Sequence, residues 1–358
     1  MKKLRFYATG FAAIASILLT SCNRDDTPVD ENTEDYTTNL TNITNNVIVA
    51  NYSTLSQKAA ATATAANALT IGDDAKLNAV KAAWVEMRIY WENSETNLFG
   101  PAGDDYLGVD GNIDSWPIDL QFVQDVLDGT TPITASYVSS LDSNAKGFHA
   151  LEYLLWGIDG QKTASQLTAR EIEYVKATAQ YIANQTSGLY DAWRPGGSNF
   201  AKNFTNASSG IYQSQINALE QLVDGMIDIA NEVGAGKIED PLNGNNGSFS
   251  LEDEESRFSN NSKADFADNI RGILYLYTGN YNNQTGLGIS EIVEAKNPTL
   301  NTKVVNAISD AVNGIESIPG TFTQAIQTNR PAVVSAQNKV ITLRTILESE
   351  LKPFVQSL

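Results

Sequence analysis

Apolar residues recur at three- and four-residue intervals along most of this chain, the spacing that lines one face of an α-helix. Val80, Trp84, Met87 and Trp91 carry it between Lys76 and Leu98. Phe148, Leu151 and Leu155 carry it between Asn144 and Trp156, with Gly157 as the stop. Further helices are predicted over the alanine-rich Val47–Leu69 stretch, a short Leu120–Leu127 segment, and Thr168–Trp193, which is closed by Pro195-Gly196-Gly197. The second half repeats the pattern at Ile211–Val233, Ser262–Tyr277, Leu300–Ile315 and Pro331–Leu351. Ser262 followed by Asp265 reads as a capping box, and the Asn- and Gly-rich Leu242–Ser250 stretch as a loop. Strand alternation is scarce. The expectation is an all-α protein of two tandem helical bundles, residues 40–200 and 201–358. The matching helix count suggests duplication, although no residue-level repeat accompanies it.

The first residues depart from this pattern. Lys2, Lys3 and Arg5 precede an apolar run from Phe6 to Leu19 that ends in Leu19-Thr20-Ser21-Cys22. The run is shorter than the roughly 20 residues a membrane span needs. Residues 1–21 therefore read as a signal peptide, and Cys22 as the lipidated first residue of the exported chain. Residues 22–39 are polar and acidic and read as a tether. No later segment is apolar enough to cross a bilayer. The expected location is the cell envelope, as an outer-membrane lipoprotein facing the periplasm or the outside. Asn23 stands where an aspartate would favour inner-membrane retention in some bacteria, and Asp25-Asp26 is a candidate export signal.

Charge and cysteine use narrow the functions. The net charge is −18, and loss of Lys2, Lys3 and Arg5 with the leader makes it more negative still. Such a chain is a poor partner for nucleic acid. Cys22 is the only cysteine, so once acylated it leaves no thiol for a disulfide, a zinc site or a nucleophile.

His149 is the only histidine in 358 residues. It lies three residues before Glu152, on the same face of a predicted helix, with Trp156 further along that stripe. Gly147 lacks a side chain and lets another backbone or a ligand come close. A second stretch places Trp84, Arg88, Trp91, Glu92 and Glu95 on one helical face. Arg88 and Glu92 are spaced to pair, and Glu95 is left to face a site. A third, Glu255-Ser256-Arg257-Phe258-Ser259, reads alone as a polar loop with one buried phenylalanine.

Together these stretches resemble the imelysin-like family. The resemblance rests on Ala83-Trp84, Trp91-Glu92, Glu95, Phe99-Gly100-Pro101 and Trp116-Pro117. It continues through Gly147-Phe148-His149-Ala150-Leu151-Glu152 with Leu154-Leu155-Trp156-Gly157, then Glu255 to Ser259, Asp265, Asn269 and Tyr277-Thr278-Gly279. It spans roughly residues 40–350. It implies an exported, often lipid-anchored bacterial protein associated with iron acquisition, folded as two related helical bundles with a site at their junction. His149 and Glu152 carry over as the motif residues. Ser256 and Arg257 become candidates to reach the cleft from the second bundle. The family was once classed with metallopeptidases.

The residue inventory disfavours a catalytic zinc, which commonly takes two or three histidines. It also departs from the paired Glu-x-x-His of di-iron bundles. A shell of His149 and oxygen ligands suits iron, manganese or calcium. The leading expectation is a protein that binds iron or an iron-bearing ligand in a cleft between the two bundles as part of iron uptake. His149, Glu152, Glu92 and Glu95 are the candidate ligands. Arg88, Trp156, Glu255, Ser256 and Arg257 are expected around the cleft, with Arg257 gripping a carboxylate or an anionic ligand. The expected partners are the membrane, through Cys22, and iron-transport proteins. Three alternatives stay open: a metallopeptidase, a metal-free interaction module held by a buried polar network, and non-covalent haem with His149 as an axial ligand.

Overall fold

Helices form where the apolar spacing places them, and local stop signals set their ends. A computed structural model describes residues 34–103, 105–208 and 210–358. The predicted leader, Cys22 and most of the tether lie outside the described residues. Eight helices carry the architecture: α1 (Ala50–Ala68), α2 (Asp74–Ser94), α3 (Gly147–Trp156), α4 (Ala169–Trp193), α5 (Gln215–Glu232), α6 (Ser262–Thr278), α7 (Pro298–Glu316) and α8 (Arg330–Ile346). Thr168 caps α4 with a reciprocal bond from Glu171, and Gly279 ends α6 in the left-handed conformation. The described residues hold two isolated β-bridges and no strand.

Two differences from expectation have plain causes. The tether was expected to reach Asn39, but the chain is helical from Thr37, because Tyr36 and Leu40 bury their side chains in the core. The capping box at Ser262 does not form. Asn261 stands at the N-cap without a side-chain cap bond. The Ser262 hydroxyl donates to Glu254 Oε1 at 2.9 Å, and Asp265 accepts from Ser256 and Asn261 instead.

Helices α1, α2, α3 and α4 pack as one bundle, and α5, α6, α7 and α8 as a second. The seam is formed mainly by α2 against α6, with α5 against the 3₁₀ turn Glu95–Asn97 that ends α2. The expected boundary near residue 200 falls among the turns and the short helix Lys202–Thr205 between α4 and α5. One apolar cluster runs through both bundles, and residues 36–358 form one compact unit.

The seam depends on two glycines. A Cβ at Gly225 on α5 would stand 2.2 Å from the carbonyl oxygen of Thr96, and one at Gly272 on α6 would stand 2.5 Å from that of Asn93. Both contacts are with backbone, which cannot swing aside. Bare backbone on α5 and α6 therefore lets the second bundle reach the end of α2 where Glu92 and Glu95 sit. Gly225→Ala and Gly272→Ala should each destabilise the fold by about 1–3 kcal/mol through overpacking. Urea denaturation read by circular dichroism checks this, with Gly188→Ala on α4, where a Cβ meets nothing within 4 Å, as the control that shows only the gain in helix propensity of about 1 kcal/mol.

Candidate metal centre at the bundle seam

Each bundle supplies half of a buried ionic cluster. From the first, α2 contributes Arg88, Glu92 and, at its 3₁₀ end, Glu95. The short helix Val109–Ile113 delivers Asp114, and α3 contributes His149 and Glu152. From the second, a π-helical turn, Val233–Lys237, delivers Lys237. The loop before α6 delivers Glu255, Ser256 and Ser259, and α6 itself Asp265 and Asn269.

Gly147 makes the first half possible. It opens α3 with φ +81°, and a Cβ there would lie 2.2 Å from the carbonyl oxygen of Ile113. The bare position lets the Ile113 backbone lie against the start of α3, which brings the next residue, Asp114, to His149. Nε2 of His149 is 3.0 Å from Asp114 Oδ1 and 3.5 Å from Glu255 Oε1. Neither oxygen is aligned for a hydrogen bond, so this fully buried nitrogen has no hydrogen-bond partner. On the other side of the ring, Nδ1 meets Glu152 Oε2 at 3.2 Å, and Glu152 Oε1 accepts from the Ser259 amide and hydroxyl, both at 2.7 Å. Trp116, whose bond to Pro117 is cis, stands edge-on to the imidazole with ring centroids 4.9 Å apart.

Arg88 is the hub. Its side chain is fully buried, with the guanidinium 5.0 Å from the centre of the Phe148 ring. It pairs with Glu92 and Asp114, with Glu255 at 2.8 Å and with Asp265 at 3.2 Å. Asp114 also accepts from the Trp91 indole. Lys237 Nζ lies 2.8 Å from Glu95, 3.2 Å from Glu255 and 3.5 Å from Glu92. Asn269 Nδ2 donates to Glu92 Oε2 and Glu95 Oε2, both at 2.7 Å.

The charges do not balance. Glu92, Glu95, Asp114, Glu152, Glu255 and Asp265 have side chains no more than 9% exposed, and they face two permanent cations, Arg88 and Lys237. The protein divides the excess unevenly. Burial pushes Glu92 and Glu95 well above the usual carboxylate range, and raises Asp265. Burial also opposes charge on Asp114 and Glu255, but neighbouring cations win. Arg88 and His149 hold Asp114 well below its ordinary value, and Lys237 and His149 bring Glu255 to about 2. For His149 burial favours the neutral ring, and the carboxylates of Asp114, Glu152 and Glu255 close around it override that and hold its pKa well above the usual value.

Asp114, His149 and Glu255 can each offer one ligand atom to a single ion, these atoms all lying within 4.8 Å of one another. The Nε2–Asp114 separation of 3.0 Å is close to that of adjacent ligands around an ion with bonds of about 2.1 Å. The donor chemistry, one imidazole and two carboxylates, fits iron, manganese or zinc. Glu92 and Glu95 join Asp114 in a second such group, and Glu92 joins Glu255 and Asp265 in a third.

The structure gathers most of the residues singled out in the sequence and disperses two. His149, Glu152, Glu92, Glu95, Arg88, Glu255 and Ser256 share the cluster. Glu152, expected as a ligand, sits at the ring nitrogen opposite Asp114 and Glu255, where it orients the imidazole. Trp156 stays out of the cluster. It lies on the His149 stripe but two turns away, about 10 Å along the axis, and packs on Trp84 at 5.3 Å. Arg257 also turns away. Ser256 has φ +56°, and this left-handed residue separates the inward Glu255 from Arg257, whose guanidinium lies 4.8 Å from the Phe258 ring centre. Arg257 there lines a groove of about 440 Å³ with Trp116, Asp119, Asn144, Glu252 and Asp253. Asp114 and Lys237 were not singled out from sequence. The sole signal for Asp114 was its place two residues before Trp116-Pro117, and Lys237 had none beyond a glycine-rich helix end.

Comparison with known proteins agrees with this picture. The chain is 27% identical to iron-regulated protein A of Synechococcus elongatus over 293 residues, 79% of this chain and 76% of the relative. A crystal structure of a protein described as an iron-regulated protein A precursor, from Parabacteroides distasonis, matches with a TM-score of 0.78 at 25% identity, covering 88% of this chain and 94% of that one. An imelysin-like protein from Psychrobacter arcticum matches with a TM-score of 0.71 over the same shares, and at 17% identity it supports the fold alone. The sequence model of imelysin matches residues 48–347. The chain therefore belongs to the imelysin family.

Proposed function

We propose that this protein is an exported lipoprotein that holds an iron ion at the seam of its two bundles as part of iron uptake. His149 Nε2, Asp114 and Glu255 are the ligands in this reading. The single observation that carries it is the fully buried, unpartnered Nε2 set against two carboxylates inside a cluster with excess negative charge. A bound cation offsets that excess. Glu152 fixes the ring through Nδ1, the carboxylate–histidine–metal arrangement common among metal proteins. Iron is favoured over other cations by the name of the Synechococcus relative. A bare ion is favoured over haem because Asp114 and Glu255 stand 3.0 and 3.5 Å from the nitrogen that an axial ligand would present. Holding is favoured over peptide hydrolysis by burial, since the cluster side chains are closed off from solvent and the groove is lined by Trp116 and not by His149. The lipid anchor is supported by the basic, apolar and Ser21-Cys22 elements of the leader. The groove or the acidic surface would then meet iron-transport proteins.

One observation favours a metal-free alternative. Arg88 already pairs with four carboxylates, so the cluster could serve solely as a polar lock between bundles. Equilibrium dialysis against ferrous iron, with elemental analysis, separates the two. The iron reading expects one ion per chain, no stoichiometric binding in His149→Ala, and an affinity lower by about 10–100-fold in Glu152→Gln. No iron in the wild type under any loading would leave the lock as the function of the cluster.

Gly147→Ala tests the scaffold behind the site. The added methyl should force Ile113, and with it Asp114, away from His149, weakening iron binding while Gly188→Ala leaves it unchanged. Unaltered affinity in a folded Gly147→Ala protein would remove Asp114 from the ligand set. Cys22→Ala should move the protein from the membrane to the soluble fraction on cell fractionation, and a persistent membrane fraction would refute the anchor.

A further inference from the structure

Arg257 carries a charge that the seam cluster does not use. Its guanidinium packs on Phe258, 4.8 Å from the ring centre, and makes no hydrogen bond or ion pair with any described residue. Its Nε is buried without a partner. Every other arginine among the described residues donates to a partner. One structural use is open to it, easing the charge of buried Glu254. Burial still holds that carboxyl up at about 7, and its bonds come from Thr323 and Ser262. The planar fork of Arg257 is thus left for something outside the fold.

The groove that Arg257 lines has a volume of about 440 Å³, within the range of small-molecule sites. It spans the seam, with Trp116, Asp119 and Asn144 from the first bundle and Glu252, Asp253 and Phe258 from the second. Trp116 Nε1 and Asn144 Oδ1 are also buried without a hydrogen-bond partner. Buried polar groups are normally bonded, so this one lining concentrates unused donors and an unused acceptor. The charges narrow the ligand. Glu252 and Asp253 form no ion pair, and Asp119 commits one oxygen to the Phe122 amide. A bare cation is repelled by the guanidinium, and a simple carboxylate by the three acids. A ligand that carries a carboxylate and a cation together suits both. The candidate metal centre lies one ring away, because Trp116 also stands edge-on to His149 at 4.9 Å.

We propose that this groove binds a metal–carboxylate chelate, with Arg257 gripping a carboxylate by two parallel N–H bonds and Glu252 and Asp253 on the side of the metal. This deepens the function proposed above and rests on it for the identity of the metal. The groove receives the ion in chelated form beside the residues that keep it.

Isothermal titration calorimetry of the full chain with gallium(III) citrate, a redox-inert stand-in for the ferric chelate, and with free citrate tests this. The wild type should bind one gallium chelate and hold free citrate about tenfold more weakly or worse. Arg257→Gln should weaken the chelate by about tenfold or more, and Arg257→Lys, which keeps the charge and loses the fork, by a smaller factor. His149→Ala should leave the chelate affinity unchanged. No chelate binding by the wild type, binding that survives Arg257→Gln, loss in His149→Ala, or equal affinity for free citrate would each overturn the proposal. If Arg257→Gln does not fold, Arg257→Lys decides, with unchanged affinity overturning the site. Ferrous iron dialysis separates this from the function proposed above. Chelate held through Arg257 with no ferrous ion at His149 would sink the His149 reading and sustain the groove. Ferrous ion at His149 with no chelate in the groove would do the reverse.

Discussion

Negative charge confined between two bundles is the constraint on which this structure turns. Six carboxylates have been withdrawn from water around Arg88 and Lys237. Charge in a low-dielectric interior is tolerated only when it is paired and hydrogen-bonded, or neutralised by protons or ions. All three devices operate here. Arg88 and Lys237 supply pairing, Ser256, Ser259, Asn261, Asn269 and Trp91 supply donors, and burial raises the pKa values of Glu92, Glu95 and Asp265 toward the protonated form.

The packing serves this cluster. Gly225 and Gly272 let α5 and α6 touch the end of α2, and Gly147 lets Ile113 touch the start of α3. Each glycine meets the backbone of a residue next in the chain to a charged member of the cluster: Thr96 beside Glu95, Asn93 beside Glu92, and Ile113 beside Asp114. Aromatic rings complete the enclosure. Phe148 and Trp84 flank Arg88, and Trp116 covers the edge of His149. The run from Gly147 to Glu152 is thereby explained residue by residue. The glycine admits a neighbouring backbone, the histidine faces two carboxylates, and the glutamate steers the ring.

Most of the helical fold was legible because periodicity in long amphipathic segments is a strong signal. The eight main helices lie within a few residues of the predicted spans. Short elements such as Ala135–Ser139 and Ile289–Lys296 were not anticipated, since one or two turns give too few repeats to read. On the site, helix-borne residues were legible and loop-borne ones were not. His149, Glu152, Glu92 and Glu95 announced themselves by spacing. Asp114 and Lys237 depend on a short helix and a π turn whose direction is set by tertiary packing. Arg257 shows the limit from the other side. A residue-level resemblance placed it near the cleft, and one left-handed serine turned it outward.

The separations along the chain between paired groups carry a consequence for the order of folding. Arg88 meets Glu255 and Asp265 across 167 and 177 residues, and Glu92 meets Asn269 across 177. Contacts of such high sequence separation form late and slowly, because loop closure must precede them. While the chain is being made, the first bundle presents Glu92, Glu95, Asp114 and Glu152 with Arg88 and His149 to balance them. Lys237, Asn269 and the loop at Glu255 do not yet exist. The cluster is therefore complete only once the last bundle has docked, and any ion it holds reports on the assembly of the whole molecule.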